Sequence, residues 1–324
     1  MVRLLSFVSA LVILGLVVVG GAAVYGMQQF RAAGPSVEDR VIEVPRGTGV
    51  SGIASLLERE GIIASADVFR VGVLLGGADR ALQAGEFAFP AGTSAQQAMQ
   101  ILQAGQAVTY SVTIPEGLTS LEVIERLRAD PILVGEIDAV PAEGTLLPET
   151  YAFTRGDSRA SVLGRMQSAM DRALERLWAQ RAEDLPFDTP QQAVTLASIV
   201  EKETGVDGER GLVAGVFINR LRIDMPLQSD PTVIFALTEG QRPLGRQLLR
   251  RDWQFQHPYN TYQNRGLPPG PIANPGREAI AAALNPIETE YFYFVADGTG
   301  GHAFARTLDE HNRNVANWRR VRDQ

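Results

Sequence analysis

Asp188-Thr189-Pro190-Gln191-Gln192-Ala193-Val194-Thr195-Leu196-Ala197-Ser198-Ile199-Val200-Glu201-Lys202-Glu203-Thr204-Gly205 is the stretch on which the reading of the fold turns. It opens as a helix opens. Thr189 stands ready to cap the free amides, Pro190 fits the first helical position where its missing N–H costs nothing, and Gln192 occupies the place where a capping box takes Glu or Gln. Gly205 is the natural stop. The spacing predicts a helix over Pro190–Thr204 whose apolar face gathers Ala193, Leu196, Ala197, Ile199 and Val200. With Leu196 at zero, Glu203 falls at about 340°, inside that face, Glu201 at about 140° on its flank and Lys202 at about 240°, pointing away. A carboxylate turned toward apolar neighbours is costly, so its proton is retained to higher pH. A carboxyl that stays neutral near pH 7 is what a general acid needs to protonate a leaving oxygen. The bland alternative is a buried ion pair with an arginine such as Arg220, or a side chain that snorkels from the helix end.

Outward from this helix the texture is mixed. Helical patterns run over Ser158–Ala182, Glu209–Leu221 and Arg277–Ala283, a strand over Tyr291–Ala296, and a charged helix begins at Leu308. Between Pro226 and Gly276 lies a loop-rich tract dense in Pro, Gly, Asn and aromatics, and irregular tracts this long usually build a site. Upstream, one small pattern recurs three times. Val41–Gly47, Phe87–Gly92 and Val112–Gly117 each alternate like a strand, end at P-x-G, and precede a helical run: Val50–Glu60, Ala95–Gln103 and Ser120–Arg128. Small βα units of this kind serve as wall-binding modules or as plain scaffold. The fold class expected is α+β: an anchor over 1–31, a linker over 32–39, a small βα module over 40–108 and a larger mixed catalytic domain over 109–324.

No charge interrupts the chain between Arg3 and Arg31. Leu4–Met27 as a helix reaches about 36 Å, enough for a hydrocarbon core of ~30 Å with some tilt. A cleaved signal would have a shorter apolar run and a small-residue cleavage site, which Val24-Tyr25-Gly26-Met27 does not supply. We therefore expect an uncleaved single-pass anchor. Arg3 before the span and Arg31 and Arg40 after it, mixed with Glu38 and Asp39, leave the charge rule nearly neutral on orientation. A short tail before the span and a large domain after it favour a domain outside the inner membrane, in the periplasm.

Composition removes several function classes. The 324 residues carry a net charge of −7, which argues against nucleic acid as a partner. There is no cysteine, hence no disulfide, thiol nucleophile or thiolate metal site. His257, His302 and His311 are scattered, so no metal and no cofactor are expected.

Six words in order then carry a resemblance. Ala197-Ser198-Ile199-Val200-Glu201-Lys202-Glu203-Thr204, Val216-Phe217-Ile218-Asn219-Arg220-Leu221 and Leu227-Gln228-Ser229-Asp230-Pro231-Thr232-Val233 are the first three. Tyr259-Asn260-Thr261-Tyr262, Gly266-Leu267-Pro268-Pro269-Gly270-Pro271-Ile272 and Tyr293-Phe294-Val295-Ala296-Asp297-Gly298 are the others. Together, over roughly residues 110–320, the chain resembles the YceG-like endolytic murein transglycosylases. The resemblance implies a single-pass inner-membrane enzyme with a LysM-like subdomain in place of the small βα module. It implies a peptidoglycan glycan strand as substrate, and Glu203, the second glutamate of E-K-E, as the catalytic residue. With the location of the anchor, it also implies peptidoglycan synthases as partners. The implied reaction cuts the β-1,4 bond between MurNAc and GlcNAc without water, leaving a 1,6-anhydro end. One carboxyl acting first as acid and then as base suffices for this.

The other words supply candidate contacts. Gln228, Ser229 and Asp230 can bond sugar hydroxyls or N-acetyl groups, although Asp230 fits equally well as a cap before Pro231. Asn219 and Arg220 lie on a helix, where Arg220 suits either a carboxylate of a peptide stem or one of the protein. Tyr259 and Tyr262 can stack on sugar faces or pack in a core, Asn260 and Thr261 are polar candidates for the cleft, and His302 fits a cleft wall or a surface turn. One word departs from the family: Pro148-Glu149-Thr150-Tyr151 carries Glu where the family often has Asp. Two other functions remain open at this stage. One is a water-using muramidase with Asp230 or Glu149 as the second carboxylate, the other a non-catalytic wall-binding scaffold.

Overall fold

The computed structural model describes residues 2–322. They divide into two compact units, one of residues up to 110 with 153–156, the other of 111–152 and 157–322.

The first unit begins with α1 (Val2–Arg31), whose side chains from Ile13 to Met27 are largely exposed. Those of residues 4–10 and 12, part of the expected span, lie outside the described residues. Within α1, Ile13–Arg31 is long and apolar enough to cross a membrane. The helix leads into β1 (Arg40–Val44), α2 (Val50–Arg59), α3 (Ala66–Leu75), β2 (Gly85–Phe89) and α4 (Ala95–Ala104). β1 and β2 pair antiparallel, with Ile42 opposite Phe87. Their inward residues meet Ile53, Leu57, Phe69 and Leu102 in a core of their own. The segment expected as a linker is not loose: Gly34 N–H donates to the Gly92 carbonyl at 3.1 Å and Gly92 N–H to that of Ser36 at 2.7 Å. A Cβ at Gly34 would collide with the Ile62 and Thr93 carbonyls, so only glycine fits there.

The remaining elements are β3 (Thr109–Thr113), α5 (Ser120–Ala129), β4 (Thr150–Thr154), α6 (Arg159–Ala179), α7 (Pro190–Glu203), a 3-10 turn at Asp207–Glu209, α8 (Arg210–Arg222), α9 (Asp230–Thr238), a second 3-10 turn at Asp252–Gln254, α10 (Arg277–Leu284), β5 (Tyr293–Ala296), β6 (His302–Ala305) and α11 (Leu308–Arg322). β3 pairs with β4, and β5 with β6. The three recurring βα patterns are therefore not equivalent. The first two pair with each other, and the third takes its partner from a strand the local pattern does not reveal.

α7 is the hub of the second unit. Every residue from Ala193 to Val200 is buried, because α6, α8 and α10 all pack on it. Small residues permit this: Ala193, Ala197 and Ser198 let neighbours approach while Leu196 and Ile199 reach Phe217, Ile280 and Leu284. A buried hydroxyl needs partners, and that of Ser198 donates to the Thr195 carbonyl and accepts from Ile272 N–H.

Candidate active site

α7 delivers Glu203 as its last residue. Thr189 and Gln192 close the front of the helix with reciprocal capping bonds. At the far end Thr204 turns to extended backbone and its hydroxyl accepts Val206 N–H at 3.0 Å. The last three side chains then enter different surroundings. Glu201, expected on the flank, is shut in: its side chain is 5% exposed, one oxygen 3.6 Å from the Arg210 guanidinium and the other accepting Gly276 N–H at 2.9 Å. Arg210 also meets Glu116 and Glu278, so Glu201 belongs to an ion-pair network. Lys202 Nζ donates to the Gly117 carbonyl. Glu203 is partly buried, and its one hydrogen-bond partner among the described residues is Ser229, whose hydroxyl donates at 2.5 Å.

Ser229 precedes α9, yet its hydroxyl does not cap that helix; it is spent on Glu203. Its backbone is fixed instead, its N–H donating to Thr261 Oγ1 at 3.0 Å and its carbonyl accepting from Thr232 Oγ1 at 2.6 Å. The Thr232 and Thr261 hydroxyls bond each other, closing a buried knot. Just before it, Gln228 has a φ of 50°, held by its N–H to the Thr261 carbonyl, with the side chain exposed. Left-handed backbone at a non-glycine residue costs about 1–2 kcal/mol, so surrounding bonds must enforce it.

Asp230 stands next to Ser229. Its Oδ1 accepts from Trp253 Nε1 at 2.9 Å and from the Tyr262 hydroxyl at 2.8 Å, and the two rings stack with centroids 5.6 Å apart. Arg220 is buried: Nε donates to the Phe292 carbonyl at 2.7 Å and a terminal nitrogen to that of Leu227 at 2.6 Å, with the guanidinium over the Tyr293 ring. His302 is clamped by Glu209, whose carboxyl meets Nδ1 at 2.6 Å and the backbone N–H at 2.9 Å, while Phe294 packs edge-on to the imidazole.

These surroundings set the acidity of Glu203. Burial, the largest influence, and the nearby Asp230 charge raise its pKa to about 7, while the Ser229 hydrogen bond, His302 and Arg220 pull the other way. Glu143 is also driven up to about 7 by burial. Both of its oxygens, however, take donors from Ser120 and Asn274, so it has nothing left to offer a ligand. Availability, not acidity alone, singles out Glu203.

Of the candidates named from sequence, Glu203, Ser229, Asp230, Tyr262, His302 and Arg220 form one neighbourhood, with Thr261 beneath them. Others lie apart. Asn260 is fully buried and spends its amide on the Trp253 and Phe255 carbonyls, which shapes the turn instead of facing a cleft. Tyr259 packs on Phe235, with centroids 4.7 Å apart. Asn219 donates to the Thr289 and Tyr291 carbonyls and lines a 510 Å³ cavity with Asp184, Ile218 and Arg222 that does not include Glu203. Glu149 is paired with Arg277 and is not among the charges felt by Glu203. Sequence reading missed Glu209, whose partner lies 93 residues downstream, and Trp253 as the partner of Asp230.

Fold and site thus describe an α+β protein in which one partly buried carboxyl of raised pKa stands among polar and aromatic neighbours. The chain belongs to the YceG-like family, whose model matches residues 42–317. An endolytic murein transglycosylase of Bacillus subtilis strain 168 is 32% identical, covering 91% of this chain and 89% of its own. One from Streptococcus pneumoniae serotype 2, strain D39, is 29% identical over 85% of this chain, which spans 57% of that longer protein. The crystal structure of a yceG-like protein from Listeria monocytogenes aligns with a TM-score of 0.52 at 31% identity, covering 86% of this chain and 99% of that one.

Proposed function

We propose that this protein is a lytic transglycosylase that cuts peptidoglycan strands internally, with Glu203 as the acid and then the base. The observation that carries the reading is the Glu203 carboxyl: pKa about 7, a single hydrogen-bond partner, and flanking groups already committed to fixed donors and acceptors. The family membership and the names of the relatives support the substrate. Neutral Glu203 gives its proton to the glycosidic oxygen as the bond from C1 of MurNAc breaks. The resulting carboxylate takes the proton of the C6 hydroxyl as that oxygen bonds to C1, closing the anhydro ring and restoring the acid. No water is consumed. Ser229 holds the carboxyl in place, and its hydrogen bond favours the charged state midway. Gln228, Asp230, Tyr262 and His302 are our proposed sugar contacts, with Asn219, Arg220, Tyr259, Asn260 and Thr261 as their frame.

The same reading makes α1 a single-pass inner-membrane anchor with the remainder in the periplasm. The span of apolar residues and the burial of Phe30 at its end, which a cleaved signal would forfeit, support it. The module over 40–108, from β1 to α4, is then the LysM-like wall-binding module, and peptidoglycan synthases the expected partners.

Digestion of purified sacculi, with product masses read by mass spectrometry, tests the function. The parent should release anhydro-ended fragments and Glu203→Gln none. Products heavier by one water would establish a muramidase, for which Asp230 is the neighbouring second carboxylate. Binding without any product would leave a scaffold.

A further inference from the structure

The carboxyl end of α1 is keyed into the first unit. Phe30 is 8% exposed, and its ring lies against Gly72 of α3, where a Cβ would collide with it. The bonds of Gly34 and Gly92 fasten the following residues, so α1 and α3 share one frame. The core face of α3 is Ala66, Phe69 and Val73. Yet Val71, Leu74 and Leu75 are 56%, 71% and 80% exposed. At about 100° per residue, Leu75 and Val71 stand about 60° and 100° to one side of Gly72, and Leu74 about 160°. They form one apolar stripe that begins beside the Phe30 contact and faces away from the core.

Depth along α1 tells what this stripe meets. A hydrocarbon core of ~30 Å takes about 20 helical residues. The charge-free run ends at Arg31, and the exposed Tyr25 is the kind of residue that marks the water boundary. Phe30 lies about 7 Å further along the axis at ~1.5 Å per residue, at headgroup depth. The helix packed on it therefore lies at that depth too, with three large aliphatic side chains exposed on its outer side.

We propose that α3 is a second membrane contact: Val71, Leu74 and Leu75 insert among the lipid headgroups and upper acyl carbons of the bilayer that α1 spans. This rests on the anchor reading above. The contact would stop the first unit, α1 included, from spinning about the helix axis and hold it in one orientation on the bilayer.

The chain has no cysteine, so a single introduced thiol is a unique label. Full-length Val17→Cys, Leu75→Cys and Glu125→Cys, each carrying a small environment-sensitive dye, are reconstituted into phosphatidylcholine vesicles containing a lipid spin-labelled high on its acyl chain. The proposal expects emission at positions 17 and 75 to fall roughly twofold or more, and that at position 125 to stay, as interfacial burial of a helix face requires. Quenching at 17 but not at 75 overturns the α3 contact and leaves the anchor standing. No quenching at 17 overturns both. In a Val71→Ser, Leu74→Ser background the dye at 75 should lose most of its quenching while that at 17 keeps it. Unchanged quenching there means that the dye itself inserts, and overturns the proposal.

Discussion

Glu203 has one hydrogen-bond partner among the described residues and a pKa pushed up to about 7 by burial, which fixes how it should behave as pH changes. In the mechanism proposed above cleavage needs the protonated form, so the rate of glycan cutting should fall about tenfold per pH unit above 7. Removing the Ser229 hydroxyl withdraws the bond that favours the carboxylate. Ser229→Ala should therefore move this alkaline limb to higher pH, and a shift to lower pH would contradict the assigned contact. Stability follows with a definite sign. A carboxyl whose folded pKa is raised above its ordinary 4.5 contributes nothing adverse below that value. The cost of ionising it in place grows as pH rises to about 7 and is constant beyond, on the order of 3 kcal/mol at most. Glu203→Gln keeps an oxygen for Ser229 and loses the charge, so calorimetry should find its melting point close to the parent's at pH 4 and above it at pH 8. The helical wheel already pointed to Glu203, because capping residues fixed the helix and its period placed the acid. It misjudged Glu201, because an ion pair with Arg210 lets a flanking carboxylate be buried, and no local pattern announces a partner on another helix.

Among the elements, α8 is held by side chains that a sequence reader would assign to ligand binding. Arg220 joins the Phe292 and Leu227 carbonyls, bracing the entry to β5, which pairs with the strand of His302, and the approach to Ser229. Arg220→Met leaves buried carbonyls without donors, so denaturant unfolding should register a loss of about 2–4 kcal/mol. α9 ends at Glu239 with a φ of 50°, where glycine is easier. Glu239→Gly should be neutral or stabilising by about 0.5–1 kcal/mol in the same assay. The helices with strong caps and one-sided patterns were legible to within a residue or two, except that α6 stops at Ala179, three residues before the expected end. α3 and α9 were not: each is short and apolar on several sides, so no periodicity stands out, and Ser229 hides the start of α9 by aiming its hydroxyl elsewhere. β4 escaped notice because its partner β3 lies far upstream, and β6 because four residues after a glycine-rich turn carry too little alternation to stand out.

At the scale of the molecule there are two hydrophobic cores, one around Leu57 and Phe87, the other around Leu196 and Phe217. Separate cores break all-or-none melting, so the calorimetric enthalpy should exceed the van't Hoff value. Leu57→Ala, costing about 2–5 kcal/mol, should lower one transition and spare the other. The seat of Phe30 against Gly72 also bears on how the protein occupies space. With α1 in the bilayer, no slack precedes the first unit: it is a bracket bolted to its post, not a ball on a chain. A flexible ten-residue insertion after Ala32 would supply a leash about 17 Å in root-mean-square length. That leash would work against the seat of Phe30 on Gly72, and wherever the seat gave way the unit would roam over the bilayer instead of keeping one height above it.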